Sequence, residues 1–191
     1  MNTEEILDIL SYSIPKSFRT TVLPADKLSS LKAHEFAFVA NSQDSDQPGM
    51  HWIAMFKQRG KKEVEFFDSC AMPIEFYSSS FESFLTSKAN VIRMNRVRIQ
   101  PGTSNACGQF CIYYLVHRVQ GASFERILQT FDEFDLESND RTVREFITDN
   151  FGDTSCTDTK KLFDVKDREV IAIVQCCAIL ENLLQIYNCS N

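Results

Sequence analysis

The chain has 191 residues, 43% of them hydrophobic and 24% charged, with sixteen Phe. That composition suits one domain with a sizeable core and excludes disorder and low complexity. The formal net charge of −6 excludes nonspecific nucleic-acid binding as the main activity, because phosphate contacts need clustered Lys and Arg.

Thr3 followed by Glu4 and Glu5 predicts a helix start, with Ile6, Leu7 and Leu10 as its apolar stripe. Glu35 to Ala40 reads as a strand, and a polar loop from Asn41 to Gly49 leads into a second strand, His51 to Lys57. The turn Gln58 to Lys62 returns the chain through Glu63 to Asp68, which is a strand–turn–strand pattern. Ser80 to Thr86 predicts a helix and Val91 to Gln100 another strand. On that strand Arg93, Arg96 and Arg98 alternate with Val91, Met94 and Val97, and they read as its solvated face. Cys107 to Val119 is a helix with an apolar body, ended by Gly121. Shorter amphipathic helices follow at Ser123–Phe131 and Asn139–Asn150. Lys166 to Tyr187 carries Val170, Ile173, Val174, Cys177, Leu180, Leu184 and Tyr187 at helical spacing, so it predicts a helix that packs on its own domain. No linker interrupts the chain. Residues 1–191 therefore read as a single domain, with the chemistry between 35 and 117 and a helical C-terminal part over 122–191.

Seven cysteines is an odd number, and their spacings suit neither a zinc site nor a small disulfide framework. No signal peptide and no apolar run of membrane-spanning length stands in the sequence. Asn188-Cys189-Ser190 fits the glycosylation pattern only by chance. An intracellular location with reduced thiols is the expectation. Cys70, Cys111, Cys176 and Cys177 lie in apolar runs and read as small buried hydrophobes. Cys156 and Cys189 sit in polar, exposed segments.

Cys107 stands apart from these. A polar Gly/Pro-containing loop, Gln100-Pro-Gly-Thr-Ser-Asn-Ala106, precedes it and an apolar helix follows. Helix N-termini favour thiolate over thiol, through unpaired N–H groups and the dipole. Gly108 beside it lets a backbone N–H and a substrate carbonyl approach the sulfur. An activated thiol needs a base, and His51 opens one strand of the hairpin while Asp68 closes the other. An antiparallel pair brings those two ends together, so His51 is the candidate base and Asp68 the acid that orients it. His34 and His117 have no acid-bearing hairpin, and His117 lies too far along the cysteine's own helix to reach the sulfur. Gln100, seven residues before Cys107 by number (107 − 100), is placed to donate to an oxyanion together with the Cys107 N–H.

In the order His51-Trp52, Asp68-Ser69, Gln100, Cys107-Gly108, these residues resemble the cysteine proteases that include adenain, the adenovirus maturation protease, and the deconjugases of ubiquitin-like proteins. Ser104-Asn105-Ala106-Cys107-Gly108-Gln109-Phe110-Cys111 resembles adenain's cysteine motif. The His-to-acid and Gln-to-Cys spacings are those of adenain-like proteases, whereas the deconjugases usually carry one residue fewer between Gln and Cys. The likeness spans about Glu35 to His117, is weaker through Asn150, and does not extend past Gly152.

The resemblance implies an α+β, papain-like or adenain-like fold. A central mixed sheet has flanking helices, with the nucleophile at a helix N-terminus. It implies Cys107 as nucleophile, His51 as general base and acid, Asp68 as its orienter and Gln100 as oxyanion donor, with Trp52 and Gly108 at the substrate cleft. Adenain has Glu where this chain has Asp68, and either carboxylate can orient the imidazole. The implied activity is endopeptidase cleavage of virion or capsid precursors at glycine-containing sites, through an acyl-enzyme thioester, with no metal and no cofactor. Polypeptide substrates are the implied partners. Activation by DNA is not expected for an acidic chain, and a disulfide-tethered activating peptide lacks its cysteine, since none lies between Cys70 and Cys107. A monomer without membrane attachment is expected, packaged in virions or free in nucleus or cytoplasm. Large self-synthesising transposons of the Maverick or Polinton class also encode such proteases. The alternatives are a deconjugase of ubiquitin-like modifiers, an acyltransferase, and an inactive interaction module on the same scaffold.

Overall fold

The computed structural model describes residues 1–152. The helix expected over 166–187 lies outside the described residues, as do Cys156, Cys176, Cys177 and Cys189.

Helix α1 spans Thr3–Ser13, followed by β1 (Val22–Leu23), β2 (Phe36–Asn41), β3 (Trp52–Lys57) and β4 (Glu63–Phe67). Helix α2 (Ser79–Lys88), β5 (Val91–Met94), α3 (Cys107–Val119), α4 (Phe124–Leu128) and α5 (Leu136–Phe151) complete the described chain. The five strands form one sheet in the order β1-β2-β3-β4-β5. The pairs β2–β3 and β3–β4 are antiparallel, and the outer pairs β1–β2 and β4–β5 are parallel. The sheet is thus mixed and the fold is α+β.

Side chains alternate across the sheet, and both faces are covered. Ala37, Val39, Ala54, Phe56 and Phe67 meet α1, α3, α4 and α5 on one face. Phe36, Phe38, Ile53, Met55, Val64 and Phe66 meet α2 and the 3₁₀ turns at Ala25–Ser30 and Ile74–Phe76 on the other. That double cover explains why all six residues of β2 are buried. Helix α3 is buried along most of its length, from Cys107 through Val116, as an apolar helix sandwiched between a sheet and other helices must be. Two of its polar members, Tyr114 and Arg118, face one partner. Glu65 on β4, 2% exposed, accepts from Arg118 Nε and Nη2 at 2.7 and 2.8 Å and from the Tyr114 hydroxyl.

Local boundaries shift from expectation where side chains act on the backbone. Asn2 caps α1, not Thr3: its side chain accepts from the Glu5 N–H and Glu5 returns the bond, a capping box. Strand β5 stops at Met94, not Gln100, because Asn95 turns inward. Asn95 Oδ1 accepts from the Asp68 N–H at 3.1 Å, and Nδ2 donates to the Asp68 carbonyl at 2.6 Å. The arginines there are not a uniform solvated face. Arg96 and Arg98 are exposed as expected, Arg98 Nε donating to the Gln100 carbonyl at 2.8 Å, but Arg93 is only partly exposed and bonds Glu63 and Glu125. Helix α3 begins at Cys107 and ends where expected, with Gly121 at φ +97° beyond it. Among the described residues no helix is long and apolar enough to cross a membrane.

Candidate active site

Cys107 is the first residue of α3, and its N-cap, Ala106, offers no side-chain acceptor. The first-turn N–H groups are therefore left for the sulfur and for whatever binds beside it. The Gly108 and Trp52 backbone N–H groups both donate to the Cys107 sulfur. The loop ahead of the helix is tied to α5. The Ser104 hydroxyl donates to Asp140 Oδ1 and accepts from the Ala106 N–H at 3.0 Å. Arg144 links Asp140 to Asn105 with two bonds of 2.8 Å.

His51 precedes β3, and its Nε2 lies 2.6 Å from Asp68 Oδ1. Nδ1 is the remaining ring nitrogen, and the imidazole also hydrogen-bonds Cys107. One ring thus joins carboxylate and sulfur, as a nucleophile–base–orienter relay requires. The Tyr77 ring stacks over it at 6.4 Å between centroids.

Asp68 is 1% exposed and fully solvated by the protein. Oδ1 also accepts the Cys70 N–H at 2.9 Å, while Oδ2 accepts the Met72 N–H at 2.8 Å and the Tyr77 hydroxyl at 2.7 Å. Two backbone N–H groups reach one carboxylate because the chain turns sharply at Ala71, whose φ is +52°. A non-glycine residue in that region is strained, and such strain collects at functional sites.

The three titrating groups favour the charged pair. Burial opposes an imidazolium at His51, but the bonds and charges of Asp68 and Cys107 outweigh it and raise the ring to about 9. Burial likewise pushes the Cys107 thiol up, and the imidazolium with the Trp52 and Gly108 N–H groups brings it below the ordinary thiol value. Asp68 follows suit: burial raises it, and His51 and the surrounding donors hold it below the usual carboxylate range. Thiolate, imidazolium and carboxylate are the forms this geometry selects.

Gln100, 2% exposed, has its amide oriented by two neighbours. The Ser69 hydroxyl donates to Oε1 at 2.5 Å, and Nε2 donates to the Ser104 carbonyl at 3.0 Å, which leaves one amide N–H. Gln100, Cys107, His51 and Trp52 line one cleft. The Trp52 indole is pinned there, its Nε1 donating to the Met1 carbonyl at 3.2 Å. Gly108 packs tightly against the same group. A Cβ on it would stand 3.2 Å from Ile6, 3.3 Å from Met1 and 3.4 Å from Trp52, so a larger residue would crowd α1 and the indole.

Of the residues singled out from the sequence, His51, Trp52, Gln100 and Cys107 line one cleft, Asp68 lies behind it bonded to His51, and Gly108 packs beside Trp52. His117 sits elsewhere, its Nδ1 bonded to the Tyr113 carbonyl at 2.7 Å. Cys111 is buried as expected. Cys70, expected in the core, is instead only partly buried, with its sulfur within 4.8 Å of ligand atoms of both His51 and Asp68. The Ala71 turn brings residue 70 back beside the imidazole. Burial and the Asp68 charge push its thiol up to about 11, the opposite direction to Cys107. His51, Asp68 and Cys70 offer a cluster of donors for a metal ion. Both Asp68 oxygens, however, are already taken by protein donors, and an ion would have to displace them.

Tyr77, Ser69, Asn95, Ser104 and Asp140 were not legible as site residues. Ser69 and Ser104 stood in the sequence motifs without a role, and Asp140 left a trace as an acid beside Asn139 on the apolar face of α5, where Val143 and Ile147 are also buried.

No protein family and no curated protein matches the chain. Among solved structures, the ASFV pS273R protease aligns with 16% identity and a TM-score of 0.48, covering 74% of this chain and 65% of its own. Its selenomethionine form aligns with 22% identity and a TM-score of 0.37 over 58% and 43% of the two chains. AvrA delL154 with IP6 and CoA aligns with 14% identity and a TM-score of 0.42 over 87% and 78%. The chain thus spans less than two thirds of the length of pS273R.

Proposed function

We propose that the chain is a cysteine endopeptidase of the adenain-like type. What carries this is the imidazole of His51 held between the Asp68 carboxylate and the Cys107 sulfur, at the N-terminus of a buried helix. The Cys107 thiolate attacks the substrate carbonyl. The resulting oxyanion is met by the Cys107 N–H and the free N–H of Gln100. His51 gives its proton to the leaving amine, which breaks the C–N bond and leaves a thioester. Water, deprotonated by His51, then attacks the thioester and releases the acid and the thiolate. Substrates of this reading are polypeptides with glycine where the chain passes the Trp52 indole. Precursors of a virion or capsid, of viral or transposon origin, are the class the sequence resemblance favours.

Labelling the protein with a thiol-selective electrophile and mapping the adduct tests the nucleophile. Cys107 should react first, and His51→Ala should slow it sharply. Preferential labelling of Cys70, or labelling of Cys107 that His51→Ala leaves unchanged, would overturn the relay. Gly-Gly peptides and ubiquitin-like fusions, assayed side by side, then separate precursor processing from deconjugation.

A further inference from the structure

Two cavities meet at His51. One, of about 540 Å³, holds Cys107, Gln100 and Trp52. The other, of about 640 Å³, lies past the imidazole and contains Met50, Met72, Phe76 and Tyr77 but not Cys107, Gln100 or Trp52. His51, Met50, Cys70 and Arg98 belong to both, so the second space continues the first.

Acyl transfer assigns the two halves of a substrate. The acyl half keeps the carbonyl, which must sit over the sulfur with its oxygen at the Cys107 and Gln100 donors. The amine half must accept its proton from His51, so it departs over the imidazole. A chain crossing Cys107 and then His51 therefore runs out of the first cavity into the second. That volume suits a large side chain with its backbone.

The chemistry of the second cavity is also specific. Met50 and Phe76 are 76% and 65% exposed. With Met72 and Tyr77 beside them, they form a contiguous apolar, polarizable surface of the kind that marks a binding groove. Asp44 and Arg98 oppose each other in charge, and the His51 imidazolium at the mouth is already paired with the Asp68 carboxylate. The wall is held to the catalytic acid: Ile74 of the same 3₁₀ turn is 8% exposed, and the Tyr77 hydroxyl bonds Asp68.

We propose that this cavity is the leaving-group subsite, and that it takes a large apolar side chain (Leu, Met or Phe) on the first residue after the scissile bond. The proposal rests on the cysteine acyl-transfer reading above.

Nucleophile partitioning tests it without knowledge of the natural substrate. The full chain is acylated with a Gly-Gly thioester in the presence of Leu-, Phe-, Ser- or Asp-amide at equal concentration. The amine nitrogen attacks the acyl carbon, the C–N bond forms as the C–S bond breaks, and the amine proton passes through His51 to the departing sulfur. Water competes in the same step, and mass spectrometry gives the ratio of peptide amide to free acid. Because both products come from one acyl-enzyme, the ratio does not depend on how fast it forms. Leu- and Phe-amide should be captured at least about tenfold better than Ser- or Asp-amide, the range a filled apolar pocket supplies. Phe76→Ala and Met72→Ala should each reduce that discrimination several-fold. Equal capture of all four amides, or discrimination that survives both substitutions together, overturns the subsite. Failure of the thioester to acylate Cys107 overturns the acyl-transfer reading, and the subsite with it.

Discussion

His51 Nε2 lies 2.6 Å from Asp68 Oδ1, beyond the last paired rung of their hairpin, where Ala54 faces Phe67. The strands bring the two residues to the same end. The turn at Ala71 and the Tyr77 hydroxyl then orient the carboxylate.

The thiolate–imidazolium pair sets a pH window. His51 is raised to about 9 and Cys107 lies below its ordinary 9.0. Alkylation of Cys107 should therefore rise with a midpoint below the ordinary thiol value, and peptide cleavage should fall as pH rises through about 9, where His51 loses the proton it must donate. The sign for folding agrees. A raised imidazole contributes stability that is full below 6.5 and lost through about 9. An alkylation profile rising with a midpoint at the ordinary thiol value would refute the pair.

Asp68→Asn removes the anion that raises His51. The alkaline limb of cleavage should move to lower pH, and kcat/KM should drop by about 10²- to 10⁴-fold, the range for general acid–base groups and their orienters. An unchanged pH profile would remove Asp68 from the relay.

Gln100→Ala deletes the amide donor at the cleft. Cleavage should lose about 10²- to 10³-fold in kcat, with a far smaller change in the alkylation rate of Cys107, because alkylation forms no oxyanion. Parallel losses in both would make Gln100 a support for the loop through Ser69 and Ser104 instead.

Ala71→Gly relieves a left-handed residue, worth about 1–2 kcal/mol for an L-amino acid, less about 0.5–1 kcal/mol for glycine's freedom when unfolded. Urea denaturation should show a gain of about 0.5–1 kcal/mol. A loss of stability would mean that the Ala71 methyl contributes packing greater than its strain.

Asp140→Ala unties the loop before the nucleophile. It leaves the Ser104 hydroxyl and Arg144 without their partner, costing about 1–3 kcal/mol of stability. Cys107 alkylation should slow as the helix start loosens, and Asp140→Asn should restore part of both. Full reactivity in Asp140→Ala would confine Asp140 to a structural role.

The placements of Cys107, His51, Asp68 and Gln100 were legible because each follows from nearby residues. A Gly-containing loop before an apolar run marks a helix start, and a turn between two alternating segments sets a hairpin whose ends must meet. The strand beginning at Val91 was over-extended for the opposite reason. Asn95 looks like any strand residue until Asp68, 27 positions away by number (95 − 68), offers its backbone.

Sequence by itself therefore determined the helix that opens at Cys107 and the His51–Asp68 hairpin, both products of short-range periodicity and turn chemistry, while the mixed α+β sheet followed from the family resemblance. Tertiary structure decided what holds them. Helix α5 clasps the cysteine loop through Asp140, the Met1 carbonyl pins Trp52, and Ser69 orients Gln100. It also turned Cys70 from a core thiol into a neighbour of the imidazole. Such contacts join residues far apart in the chain, and no local pattern encodes them, because they exist only once both faces of the sheet are packed.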